Sequence, residues 1–187
     1  MVQAWTITSL DGVTVLATAF HTPSEGSHPK DNGWAWDAAT QKAWRIERMP
    51  DVTRERWTGT VWEPDLDALR ALRWTEVKLA RDGAEIGGCD TPLGRIDTTE
   101  ASQVKIAGAV QMAMLAQVAG QPFSIGWTMQ DNTTVDHDDA AMIGMGLAVG
   151  EHVLACHEVS RAKRAQLEAA MDAAAIAAVD PASGWPA

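Results

Sequence analysis

The chain has no tyrosine, two phenylalanines and two cysteines, and each shortage closes off a class of protein. Two thiols, Cys89 and Cys156, cannot make a disulfide framework, so they are expected to be reduced, in a chain made in a cytosol. There is no CxxC or HExxH to complete a zinc site of three or four ligands. Serine-nucleophile elbows, P-loops and dinucleotide fingerprints are equally missing. No apolar run reaches the roughly 18 residues of a membrane span, and the first twenty residues lack the basic start of a signal peptide. Lys and Arg number 15 against 25 Asp and Glu, a formal charge of −10. This excess of acid argues against duplex nucleic acid or an anionic membrane as the main partner. The expectation is a protein that is not an enzyme, holds no cofactor, binds no nucleic acid and inserts in no membrane.

What is plentiful is tryptophan, with nine residues. Five fall between 34 and 62: Trp34, Trp36, Trp44, Trp57 and Trp62. Alternation over Gln3–Thr8, the Asp11-Gly12 turn signal and the β-rich Val13–Phe20 predict a hairpin with a two-residue turn. His21–Asn32 reads as a loop. Trp34 and Trp36 share one face of a predicted strand, the chain returns through Trp44 and Ile46, and a short pair holds Trp57 and Trp62 around Gly59. The fold class predicted is α+β: a Trp-rich antiparallel β module over 1–63, a connecting helix over 64–83, then hairpin, helix, hairpin and a long C-terminal helix over 84–187. The five tryptophans are candidate partner or glycan contacts. A sugar platform needs two coplanar rings in solvent; the favoured reading is core, since one buried Trp removes about 150–250 Å² from water.

The connecting helix should start at Glu63-Pro64-Asp65, bury Leu66, Leu69, Leu72 and Leu79, and stop at Gly83. A hairpin follows over Ala84–Asp97, turning at Thr91-Pro92. Asp97 with Glu100 has the capping-box pattern for the next helix, which closes at Gly120 before Pro122. Its stripe is read as Gln103, Ala107, Val110, Met114 and Val118. Phe123, Ile125, Trp127 and Met129 mark one face of a strand that turns at Asp131-Asn132. From Asp136 a helix is predicted without a break to Pro181, apolar nearly all round from Ala140 to Val149. Gly144, Gly146 and Gly150 in that stretch imply close approach of another backbone. Beyond Ser160 the helix is Ala-rich with a thin apolar stripe, marginal alone. Leu167, Met171 and Ile176, with Trp185 on the tail, are therefore candidate contacts to another copy or another protein.

Two clusters invite chemistry. His152, Cys156 and His157 have helical spacing suited to a metal but too few ligands, so packing is the preferred reading. Asp136, Asp138 and Asp139 flank His137, yet acids at a helix N-terminus are stabilised by the macrodipole without any substrate.

A longer pattern runs from the helix ending Ala80-Arg81-Asp82-Gly83 through Thr91–Thr98, Gly108–Val110, Leu115-Ala116 and Gly120–Met129. It continues with Asp131-Asn132, Met142-Ile143, Gly146–Val149, His152/Cys156-His157, Ala177–Asp180 and Gly184-Trp185-Pro186. From about Leu69 to the C-terminus this resembles a domain of unknown function encoded by tailed bacteriophages and prophages, found in tail-fibre-associated and other tail proteins. The resemblance implies a structural component of the virion at the distal tail, baseplate or tail fibre, made in the host cytoplasm and located in the tail. Its implied partners are other phage tail proteins, while the thin stripe of the rod points to its own copies, as a homo-oligomer. An assembly chaperone absent from the finished particle is a second expectation. A module binding a host surface glycan through the tryptophans is a third.

Overall fold

The computed structural model describes residues 3–21 and 35–187, so Trp34 lies outside the described residues. The architecture is α+β, and the chain divides into two compact units, Met1–Ala71 and Leu72–Ala187.

In the first unit β1 (Gln3–Ser9) is the centre of an antiparallel sheet, flanked by β2 (Val15–His21) and β3 (Gln41–Ile46). Being central, β1 is covered on both faces: Ala4 through Thr8 are all buried, although their alternation suggests a strand wet on one side. The first turn is longer than the predicted two residues. Ser9 N–H donates to Thr14 O at 2.8 Å, Gly12 N–H donates to Ser9 O at 2.9 Å, and Gly12 stands at φ +82. Asp11 holds that wider loop by accepting from the Ser9 hydroxyl and the Val13 N–H. Ile7 faces Ala17 while Thr8 faces Val15, so Leu16 is the extra residue of a bulge. Trp36 is in no strand, against expectation. Asp37 folds the next residues into a turn, accepting from Ala39 N–H at 2.9 Å and from the Thr40 hydroxyl at 2.7 Å. The chain then enters β3, which pairs with the distant β1. A separate ribbon of β4 (Glu55–Trp57) and β5 (Trp62–Pro64) turns through Gly59 at φ +100, with Trp57 opposite Trp62 as predicted.

Helix α1 (Leu66–Glu85) spans the division between the units. It starts after Pro64, capped by Asp65, whose carboxylate accepts from Asp67 and Ala68 N–H at 3.1 Å each. The leucine stripe fails: Leu72 and Leu79 are 42% and 68% exposed, and Val77 is the buried residue. Gly83 does not end the helix either. The left-handed residue is Gly88, at φ +92, where a Cβ would sit 2.9 Å from Ile96 O and 2.6 Å from Gln130 Nε2. A short hairpin of β6 (Cys89–Thr91) and β7 (Gly94–Ile96) follows, turning at Pro92-Leu93.

Helix α2 (Glu100–Val118) is capped by Thr99, which accepts from Ser102 N–H at 3.2 Å, and not by Asp97. It closes as predicted: Gly120 is left-handed at φ +63, and Gln121 N–H reaches back to Ala116 O at 2.9 Å. The hairpin of β8 (Ser124–Thr128) and β9 (Thr134–Asp138) keeps Phe123, Ile125, Trp127 and Met129 inward. Strand β9 persists to Asp138, so α3 (Asp139–Ala169) begins three residues later than the acids suggested. It also ends earlier. The chain is extended at Ala170, and Asp172 caps a separate α4 (Ala173–Ala178) by accepting from Ala175 N–H at 2.7 Å.

The core of the second unit is Cys89, Ile96, Ile106, Ala109, Ala113, Met129, Met142, Met145 and Val149. Along α3 the buried stripe runs Met142, Met145, Val149, His152, Cys156, Ser160, Lys163, Leu167, each three or four residues from the last. Leu147, on the other side, is exposed, so the helix is not buried all round. Of the three glycines, Gly146 alone is crowded: a Cβ there would stand 2.7 Å from Val110 Cγ2, a side chain rather than a backbone. By length and mean hydropathy α3 does qualify as long and apolar enough to cross a membrane, a correction to the count of apolar runs. Its inward stripe is spent on this unit's own packing.

Candidate functional site

The tryptophan cluster is built from β1 outward. Thr6 and Thr8 lie on one face of that strand and accept from indole N–H groups, Trp62 to Thr6 at 2.5 Å and Trp44 to Thr8 at 3.1 Å. Trp57 donates to Gly12 O at 2.8 Å. Trp44 and Trp57 meet edge to face, 5.6 Å apart at 60°, and Trp57 and Trp62 are tilted to each other, 5.8 Å apart at 55°. Lys42 Nζ covers the Trp44 ring at 4.1 Å. Three half-buried rings, tilted and hydrogen-bonded inward, pack over the buried strand β1. They give no coplanar pair for a sugar. Trp62 also borders a groove of ≈ 580 Å³ with Arg45, Glu47, Arg48 and Thr60. Beside it, the Arg48 guanidinium grips Glu55 through both carboxylate oxygens, and Asp51 N–H donates to Glu55 at 2.8 Å. The Arg48 hydrogen bonds hold the Glu55 carboxyl down to about 2.

The histidine and cysteine positions are structural. His152 Nε2 lies 2.9 Å from Ala84 O, so that nitrogen carries a proton and donates to the end of α1. Cys156 Sγ is 3.9 Å from it and fully buried; burial, then the Glu85 charge, pushes the thiol up, the opposite of an activated nucleophile. His157 turns instead toward Glu85 at 3.4 Å. Among the described residues no group of three or more His, Cys, Asp or Glu is arranged to hold a metal ion.

His137 and its neighbouring acids are separated by strand alternation. In β9, Val135 and His137 point inward while Thr134, Asp136 and Asp138 point to solvent. His137 Nδ1 is 2.9 Å from Val135 O, and Nε2 is buried without a hydrogen-bond partner. Asp138 caps α3 by accepting from Ala141 N–H at 2.8 Å.

The predicted oligomer contacts are corrected. Leu167 and Ile176 are buried, 3% and 2% exposed, inside their own chain. Ala170 and Val179 are buried with them. Lys163 Nζ donates to Asp180 O at 2.6 Å and stands 5.6 Å over the Trp185 ring, whose N–H donates to Pro181 O at 2.9 Å. Arg73 reaches Ala177 O at 3.3 Å, and Arg164 lies 4.9 Å over Trp74. The rod is supported within the chain, with Lys163 held by the tail and Arg164 lying over Trp74 of α1, partners that bulky-residue counting overlooks. Met171 alone of the set is open, 82% exposed.

An exposed apolar face that the sequence reading missed lies on α2. Its inner side packs on α3 through Ile106, Ala109 and Ala113, one residue out of phase with the predicted stripe. The outer side leaves Val104, Met112, Met114, Leu115 and Val118 exposed, from 52% to 87%. Only Glu100 and Lys105 carry charge in its 19 residues. A helix apolar on every side is ordinarily buried on every side; here half of it faces solvent. The signal was present as a helix with almost no polar face, which periodicity could not orient.

A family model described as a domain of unknown function (DUF4376) matches residues 68–182. No curated protein and no solved structure matches the chain.

Proposed function

The chain belongs to the DUF4376 family over more than half its length, and from that premise we propose that it is a non-enzymatic structural component of a tailed-phage virion, at the distal tail, baseplate or fibre, working through protein–protein contacts. The observation that carries the contact role is the outer face of α2, whose apolar side chains stand in water and are stabilised when a neighbour covers them. The phage setting rests on the residue pattern from Leu69 to the C-terminus. The buried C-terminal rod no longer contributes: it has its partners within the chain. Mass spectrometry of purified virions tests the reading. A stoichiometric chain in finished particles is the expected result, and its absence from them removes the structural role.

A second reading, a fibre-assembly chaperone, is favoured by Met112 and Met114 on the open face, since methionine adapts to changing partners. It predicts co-purification with unassembled fibre and loss from finished virions. A glycan-binding role has less support, because Trp44, Trp57 and Trp62 are tilted together with their N–H groups satisfied inside.

A further inference from the structure

We propose that the outer face of α2 is covered by the same face of a second copy of this chain, the two helices running antiparallel about a two-fold axis. This rests on the reading of the chain as an assembly part and names one of its partners.

The outward residues are Ala101, Val104, Gly108, Gln111, Leu115 and Val118. They are spaced three, four, three, four, three, the seam of a helix pair with two residues per heptad. Folding the list about its middle puts Ala101 against Val118 of the second copy, Val104 against Leu115, and Gly108 against Gln111. Every layer joins a smaller side chain to a larger one, so the strip is complementary to itself, as an isologous interface requires. At the centre a Cβ on Gly108 would meet nothing within 4 Å, which leaves room there for the Gln111 side chain of the other copy. A single polar residue in such a seam fixes register.

Charge permits the same occupant. Two copies of a chain with formal charge −10 repel overall, but α2 carries a single acid, Glu100, so repulsion is least on this face. Along the flanks, Lys105 faces Met112 and Ala107 faces Met114, and no like charges oppose. Pairing two helices of about 28 Å removes on the order of 1,000 Å² from water, the size at which specific interfaces begin.

Sedimentation of the full chain tests this. The expected result is a concentration-dependent dimer, with Leu115→Asp raising the dissociation constant at least about tenfold. Gly108→Leu should do the same while melting no lower than wild type, because its side chain meets open space in the monomer. Orientation is read by cross-linking: Val104→Cys mixed with Leu115→Cys gives a disulfide-linked pair, and neither variant alone does. Wild type monomeric at about 100 μM, well above the dissociation constants of specific complexes, would overturn the pairing and leave the face to another partner or segment. So would a dimer indifferent to both substitutions, or Val104→Cys cross-linking to itself. These outcomes are independent of whether the chain is found in virions.

Discussion

Lys163 illustrates how a charged residue serves a core. The residue is buried, and its ammonium donates to Asp180 O and covers Trp185, so the charge is paired by a carbonyl dipole and a ring face. Lys163→Ala should strand Asp180 O and loosen the C-terminal tail, costing about 1–3 kcal/mol in chemical denaturation. Glu55 is the acid-sensitive residue. Its folded pKa of about 2 lies below the ordinary 4.5, so its contribution is complete above the unfolded value and fades as pH falls from there toward 2. Tryptophan-monitored melting at about pH 7, 4 and 2.5 should show this loss in the first unit, and Glu55→Gln should flatten it. From sequence Lys163 reads, with Arg161 and Arg164, as a solvated basic helix face, and Glu55 carries no signal; both roles depend on partners at a distance: Asp180, seventeen residues on, and Arg48, seven back across a turn.

Among the elements, the crossing of α2 and α3 sets the core of the second unit, and Gly146 lets it close on Val110. Gly146→Ala should destabilise by about 1–3 kcal/mol through overpacking, and Val110→Ala should recover part of it in the double variant. Gly150 is the contrast. A Cβ there meets nothing, so Gly150→Ala should stabilise by about 1 kcal/mol from helix propensity alone. From sequence the three glycines of α3 looked alike; the helix crossing picks out one. Helix ends were uneven in the same way. The Gly120 stop was legible because a left-handed residue followed by proline is a local device. Thr99 took the cap expected of Asp97 because the preceding residues extend from β7, and the hydroxyl of Thr98 is used by Gly88 N–H at 2.8 Å.

For the molecule as a whole, the second unit contains its own core, rod and tail contacts. A fragment over 65–187, which keeps Asp65 as the α1 cap, should therefore fold alone, with a helical far-UV signal and one cooperative melt; loss of that transition would show that the units depend on each other. The α+β class, the five hairpin or helix signals after Leu66 and the inward face of β8 were readable in advance. Each is carried by residues a few positions apart, where turn chemistry and period-two or period-3.6 patterns act.

The chain alone specified that local grammar, together with its acidity and its tryptophan-built first module. Folding in three dimensions decided the phase of α2 and the placing of Leu167 and Ile176. Apolar residues surround α2, and the rod carries polar residues both inside, at Ser160 and Lys163, and outside, at Arg161 and Arg164, so the pattern alone orients neither. Which face is buried is then settled by whatever other element can approach most closely: α3 against Ile106, and the chain's own α1 and tail against the rod.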